Sequence, residues 1–429
     1  MRFRLLPLFA LLTLAVHPLA ADELEARALR ILREAPLIDG HNDLPWAIRE
    51  RTKSRIGQID LMSDTRKLAK PMHTDIPRLR EGGVGAQFWS VWVPTDLAPD
   101  AAVRTVIEQI DIVHRVVARY PDTFEMAYTA DDIERIHRKG RIASLIGVEG
   151  GHSIANSLAV LRQLHRSGAR YMTLTHWKNT DWADAATAEL QSDGLTPFGH
   201  EVVREMNRLG MLVDLSHVSP RTMTQAIEVS EAPVIFSHSS AFAVAPHRRN
   251  VPDDVLSRLD AKDGVVMVTF VSGFDSEAVR QWNAAKSGEE ARLKSLHPEN
   301  AAIRTELLEA WKKTNPEPHI STVQVADHVD HLRKVAGIEH IGIGSDFDGF
   351  DSAPVGLEGV EGYPVLFAEL LRRGYSDDDL RAIAGRNLLR VMRKAEALAK
   401  RLQPERPPSG TLIEDVDQPR VANGATAHE

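Results

Sequence analysis

The sequence predicts an α/β chain closed into one (β/α)8, TIM-type barrel, with a helical insertion after its seventh strand. Three observations lead there. Short apolar runs alternate with longer stretches of helical period along most of the 429 residues. Most of these runs are continuously apolar, as expected of strands covered on both faces in a parallel sheet. Eight such runs occur, and eight alternating β and α units favour closure over an open sheet.

The predicted strands are Leu37–Asp43, Val84–Val93, Ile142–Glu149, Tyr171–His176, Met211–His217, Pro233–His238, Gly264–Phe270 and His340–Asp346. Helical period is clear near 101–117, where Val103, Val106, Ile107, Ile110, Val113 and Val117 share one face. Ser219-Pro220 reads as an N-cap followed by proline at the first helical position. Ser376 with Asp379 has the form of a capping box opening the last long helix, towards Lys400. Residues 272–321 are too long for a simple connection; they are charged and helical around 279–294 and 301–313, which marks the insertion.

Length alone would allow two or three domains, but α/β barrels run well past the usual domain size as one unit. The composition, 43% hydrophobic and 26% charged, is that of a globular chain with ample core. A net charge of −8 without a basic stripe argues against a nucleic-acid partner. Arg2 and Arg4, the apolar run 5–16 and a small-residue cleavage site at Leu19-Ala20-Ala21 read as an export signal over 1–21, its apolar part too short to span a bilayer comfortably. The barrel is then expected over 22–402, in the periplasm or secreted. Residues 403–429 form a polar tail with no hydrophobic lipid-anchor signal, so no membrane anchor is expected once the signal is removed. There is no cysteine, so neither disulfides nor thiol chemistry enter.

The polar residues fall at strand ends. The first predicted strand ends in His41-Asn42-Asp43, the third in Glu149, the fourth in His176, the fifth in His217, the sixth in His238 and the eighth in Asp346. In such a barrel these ends converge on one mouth, where active sites lie. His41 and Asp43, two apart, point to the same side of a strand and can serve one cation. Glu149 can bridge two cations, and His217 with His238 can complete a second site. Imidazole and carboxylate ligands suit zinc with an open position for water. Two cations about 3.5–4 Å apart would acidify a bridging water into a nucleophile at neutral pH.

Each residue alone has a plainer reading. A single histidine at a strand end is more often a hydrogen-bonded structural group, and Asp346-Phe347-Asp348-Gly349 alone reads as a turn or cap. Six polar strand ends, each behind an apolar run, are hard to explain as core packing. His73, His114, His137, His165 and His331 fall in helical or loop stretches and read as structural or surface residues.

Several stretches match a known family. They are Ile38-Asp39-Gly40-His41-Asn42-Asp43, Gly147-Val148-Glu149-Gly150-Gly151-His152-Ser153, Leu174-Thr175-His176 and Asp214-Leu215-Ser216-His217-Val218-Ser219. Phe236-Ser237-His238-Ser239-Ser240, Arg248-Arg249-Asn250-Val251-Pro252-Asp253-Asp254, Gly344-Ser345-Asp346-Phe347-Asp348-Gly349 and Asn387-Leu388-Leu389-Arg390 continue the match. From about residue 36 to 394 the chain resembles the membrane (renal) dipeptidases of the amidohydrolase superfamily. The resemblance implies a dipeptidase with two zinc ions per subunit and a homodimer, acting on L,L and also L,D dipeptides. It implies that His41 and Asp43 bind one zinc, His217 and His238 the other, and that Glu149 bridges them. Asp346 takes the position of the proton shuttle and meets the substrate amine. His176 would stabilise the oxyanion, and Arg249 would hold the substrate's C-terminal carboxylate. His152 is implied to support the motif rather than to bind metal. Where animal members have a substrate-contacting tyrosine, this chain has Phe274, and it lacks their cysteines and lipid-anchor tail.

Two other readings carry different expectations. Another amidohydrolase, acting on small amides or lactams, would more often show His-x-His on its first strand and a carbamylated lysine at its fourth. Here those positions hold His41-Asn42-Asp43 and His176. An inactive scaffold with the same barrel would leave ligand positions vacant, and every one is filled.

Overall fold

The computed structural model describes residues 18–417, and side chains from residue 23. The expected signal segment lies outside them, except that residues 18–21 open the helix Pro18–Glu34. Nine parallel strands form the sheet: β1 Leu37–Asn42, β2 Val84–Trp92, β3 Phe124–Met126, β4 Ile142–Glu149, β5 Ala169–Thr173, β6 Leu212–Asp214, β7 Ile235–Phe236, β8 Val265–Val268 and β9 Ile341–Ile343. Their order is β2-β1-β9-β8-β7-β6-β5-β4, and β2 pairs back on β4, which closes an eight-stranded barrel. The short β3 lies outside that ring, against the first half of β4. It was not expected from sequence, because three residues give no readable period.

The strands alternate between two apolar environments. Leu37, Trp89, Val91, Ile146, Val148, Val266 and Val268 pack with the surrounding helices. Their neighbours Ile38, Phe88, Leu145, Tyr171, Val265 and Met267 pack into a second cluster. Burial on both faces is what makes the runs read as continuous.

Helices fill the connections, and several follow their sequence signals. Ser219 caps the helix Pro220–Val229 by accepting from the Thr222 N–H. Ser376 and Asp379 form a full capping box. That box opens only the short helix Asp377–Arg381; a π turn over Ala382–Arg386 precedes the long helix Asn387–Glu405. In the helix Pro99–Arg119 the buried face is set by Ala102, Thr105, Val106, Gln109, Ile110, Ile112, Val113 and Val116. Ile107, expected on it, is 52% exposed. After β8 come the helices Ser272–Asp275, Glu277–Leu296 and Ala301–Thr314. Residues 406–417 lie along the surface, where Asp417 accepts from the Phe198 N–H at 3.0 Å and Ser409 O accepts from Arg162 at 2.9 Å. Among the described residues no helix is long and apolar enough to cross a membrane.

Candidate metal centre

The barrel brings the six polar strand ends together around Glu149, the last residue of β4. Its Oε1 lies 3.1 Å from His217 Nε2, 3.3 Å from His176 Nε2 and 3.5 Å from His238 Nε2. Its Oε2 lies 3.4 Å from His41 Nε2 and accepts from Ser90 Oγ of neighbouring β2 at 3.0 Å. His41 Nε2 is also 3.5 Å from Asp43 Oδ2 and 4.0 Å from Asp346 Oδ1. The Nε2 atoms of His217 and His238 face each other at 3.0 Å. Among the described residues three groups have donor atoms close enough together to hold a metal ion: His41 with Glu149 and His238; Glu149 with His176 and His217; His41 with Asp43 and Asp346.

Hydrogen bonds sort the four imidazoles. The Tyr171 hydroxyl donates its proton to the Gly40 carbonyl at 3.0 Å, so at 2.8 Å it accepts from His41 Nδ1–H. That leaves the His41 Nε2 lone pair facing the carboxylates, and this atom is buried without a hydrogen-bond partner. Ser237 Oγ donates to Asp214 at 2.5 Å and so accepts from His238 Nδ1–H at 2.8 Å, leaving a second Nε2 lone pair. His176 is the reverse. The Trp92 indole, which can only donate, reaches His176 Nδ1 at 3.2 Å, which puts the proton on Nε2. Distance alone groups His176 with the ligands, but its tautomer makes it a donor towards the cavity. His217 Nδ1 is buried without a partner.

The electrostatics match. Burial raises the Glu149 pKa, but His41, His176 and His217 more than reverse this and hold it well below the carboxylate range. Burial, with the charges of Asp43 and Glu149, drives Asp346 well above its ordinary value. Burial also keeps His217 and His238 well below theirs, aided by neighbouring cations. For His41 burial acts downward, and Tyr171, Glu149 and Asp43 overturn it. Neutral imidazoles at His217 and His238 beside the ionised Glu149, with His41 able to exchange its Nε2 proton for a metal, are a donor set that a divalent cation such as zinc would fit.

Backbone geometry is bent to the same end. His217 and Asp346 sit at φ 69° and 68°, in the left-handed region that bulky residues avoid. His217 is pinned there, because its carbonyl accepts from the Ala186 N–H and from Thr175 Oγ1. The strands β6 and β9 stop three residues short of these two residues for that reason.

The centre opens into a cavity of about 580 Å³ whose lining includes Asp43, Glu149, His176, His217, Asp346 and Phe274. Arg249 is placed differently. It is fully buried and does not line this cavity. Its guanidinium donates to Ser239 Oγ and the His238 carbonyl, its Nε–H has no partner, and it lies 5.3 Å from the Phe274 ring. His152 points to the Val93 carbonyl at 3.0 Å, away from the cluster.

A family model for membrane dipeptidases, peptidase family M19, matches residues 25–406. The chain belongs to that family. As a member of the membrane dipeptidase family it is a metallopeptidase, and its fold is that of the solved relatives. The probable dipeptidase PvdM from Pseudomonas aeruginosa superposes with a TM-score of 0.73 at 21% identity, over 89% of this chain and 100% of that one. A metallopeptidase from Rhodobacter sphaeroides, liganded with a phosphinate mimic of the dipeptide L-Ala-D-Ala, gives 0.68 at 23%, over 84% and 99%. A further structure, described as the dipeptidase AC, gives 0.68 at 24%, over 84% and 98%.

Sequence reasoning missed some residues of this dipeptidase's site. His73, read as structural, lines the cavity, and its Nδ1 accepts from the Asp348 N–H at 2.9 Å. Tyr171, Ser237 and Trp92 set the tautomers, and only Ser237 stood beside a ligand in the chain. Trp46 and Trp177 line the cavity as well, with no signal of spacing to mark them.

Proposed function

We propose that this dipeptidase hydrolyses L,L and L,D dipeptides with two zinc ions at the centre built on Glu149. The observation that carries this is the convergence of buried ring nitrogens and carboxylates on one glutamate, with donor His176 beside them. His41, Asp43 and Glu149 would hold one ion, and His217, His238 and Glu149 the other. When bound, the ions would lower the pKa of water towards neutrality and so supply a nucleophile. His176 Nε2–H donates to the peptide carbonyl oxygen as charge develops on it. Asp346, whose raised pKa lets it hold a proton, passes that proton to the leaving amine nitrogen. Arg249, held down to about 10 by burial and so still a cation, supplies a counter-charge for the substrate's C-terminal carboxylate from behind the Phe274 ring rather than from the cavity wall. The inclusion of L,D dipeptides draws support from the phosphinate mimic of L-Ala-D-Ala bound to the Rhodobacter relative.

We also propose export, on the strength of the basic residues and apolar run within 1–21. The catalytic reading is tested by hydrolysis of L-Ala-L-Ala and L-Ala-D-Ala before and after chelation, in wild type, His217→Ala and Glu149→Ala. Loss of hydrolysis on chelation and in both variants is expected. Near wild-type rates in either variant, or turnover of hydantoin or dihydroorotate in place of dipeptides, would overturn it.

A further inference from the structure

A second cavity, of about 600 Å³, adjoins the metal cavity and shares Phe274, Phe350 and Asp351 with it. The first cavity alone lies within the ~300–1,000 Å³ that encloses a drug-sized ligand, so a dipeptide of small residues does not need the second. The common wall is Phe274. Its ring stacks on His247, with centroids 4.4 Å apart at 27°, and has the Arg249 guanidinium within 5.3 Å. Arg249 lines neither cavity and lies behind Phe274, so a C-terminal carboxylate drawn towards its charge brings the C-terminal residue up to Phe274, next to the way into the second cavity.

The chemistry of that cavity favours a neutral ring. Trp282 lines it, with its indole N–H committed to the Asn315 carbonyl at 2.8 Å and its ring set between Lys286, 5.8 Å from the centroid, and the Trp311 ring at 6.0 Å, an aromatic and cationic wall that a further ring can extend. His247 adds a ring which burial, with Arg249, Arg280 and Arg248, holds down at about 4 and so neutral. The charges lining it nearly balance. Arg280 is tied to Glu277 at 2.5 Å and Lys286 lies 3.8 Å from Glu290, both on the insertion helix; Arg248 shares the cavity with the carboxylates of Glu317 and Asp351.

We infer that the second cavity is a subsite, one wall of it supplied by the insertion helix Glu277–Leu296, for a bulky aromatic side chain on the substrate's C-terminal residue. The inference rests on the dipeptidase reading above and adds to it a substrate class and a job for the insertion. Rings packed on rings and near cations supply the selectivity.

The test compares Ala-Trp with Ala-Ala on the zinc-loaded protein and on two exposed-site variants. Ala284→Trp fills the second cavity, since Ala284 lines it; Ala285→Trp changes the next, exposed residue, which does not. Wild type should prefer Ala-Trp. Ala284→Trp should lower kcat/KM for Ala-Trp about tenfold, mainly through KM, with Ala-Ala held within roughly twofold, and Ala285→Trp should alter neither. An unchanged Ala-Trp to Ala-Ala ratio in Ala284→Trp overturns the subsite while leaving the dipeptidase reading intact. A preference for Ala-Glu or Ala-Lys over Ala-Trp that Ala284→Trp removes overturns the aromatic assignment. No wild-type turnover of Ala-Ala overturns the subsite together with the dipeptidase reading.

Discussion

His41, His238 and His176 differ in what their far ring nitrogen touches, and that contact decides the chemistry of the near one. Tyr171 and Ser237 take an Nδ1–H and free a lone pair; Trp92 gives a hydrogen bond to Nδ1 and leaves a donor. Partners of this kind tune metal ligands by about 10–100-fold. Tyr171→Phe should therefore weaken metal binding by about that factor, read by competition with a chromophoric chelator, and an unchanged affinity would refute the tautomer assignment. Trp92→Phe should instead lower kcat about tenfold with KM little changed, because it frees His176 to take the wrong tautomer; a pure KM effect would count against it. The candidate ligands were legible in the sequence, because a polar residue closing an apolar run is visible in one dimension. Their partners were not. Tyr171 stands 130 residues from His41 and Trp92 stands 84 from His176, and only closure of the barrel makes them neighbours.

Between strands, the thinnest ladders are reinforced by buried carboxylates. β1 meets β9 through one residue pair, Asp39 with Ile343, and β6 meets β7 through one, Asp214 with Ile235. At the first junction Asp39 accepts from the Ser345 N–H at 2.8 Å, Ser345 Oγ at 2.7 Å and the Tyr363 hydroxyl at 2.7 Å. At the second Asp214 accepts from the Ser216 N–H at 3.0 Å, the Ser237 N–H at 2.8 Å and Ser237 Oγ. Each aspartate precedes a candidate ligand, His41 or His217, so the strand that carries it is fixed to its neighbour by the same segment. Asp214→Ala orphans those donors and should cost roughly 3–5 kcal/mol in denaturant unfolding, while loosening His238 through Ser237; a cost below about 1 kcal/mol would contradict this. Two glycines allow close approach. A Cβ at Gly147 on β4 would collide with the Tyr171 ring, and one at Gly349 with the carboxylates of Asp43 and Asp346. Gly349→Ala should thus abolish activity with the fold retained, seen as a native melting transition in an inactive protein. The strands were readable from their apolar runs, yet at β5, β6, β7 and β9 the reading ran past the ladder to the polar residue beyond it, whereas β4 ends at Glu149 as read. The last residues leave the ladder because His217 and Asp346 need a left-handed backbone. The face of Pro99–Arg119 was read from its large aliphatics. Ala102, Thr105 and Gln109 share the buried side instead of Ile107, since the shape of the neighbouring layer, not side-chain type alone, selects what is covered.

Across the molecule, closure is what makes the site. One carboxylate on β4 is reached by histidines following β5, β6 and β7 and by one within β1, and no open sheet of this order would bring the first and last together. The same close packing buries histidines away from the centre. His152, His165, His247 and His328 are each held at about 4 by burial, against an ordinary 6.5. A histidine depressed in the folded state binds fewer protons there than in the unfolded chain, so its contribution is complete above about 6.5 and drains away as pH falls towards 4. For His328, bonded to the Ala241 N–H and the Asp275 carbonyl, this amounts to about 3 kcal/mol. The melting temperature should fall steadily from pH 6.5 to 4, and His328→Gln should flatten part of that slope. A melting temperature flat over that interval would contradict the assignment. The most direct measurement of the central claim is the metal content per chain of purified protein, wild type beside Glu149→Ala. Two zinc ions in wild type, and loss of both when the shared carboxylate is removed, is the result expected. A fully active wild type holding only trace metal, or a Glu149→Ala protein still holding its full complement, would contradict it.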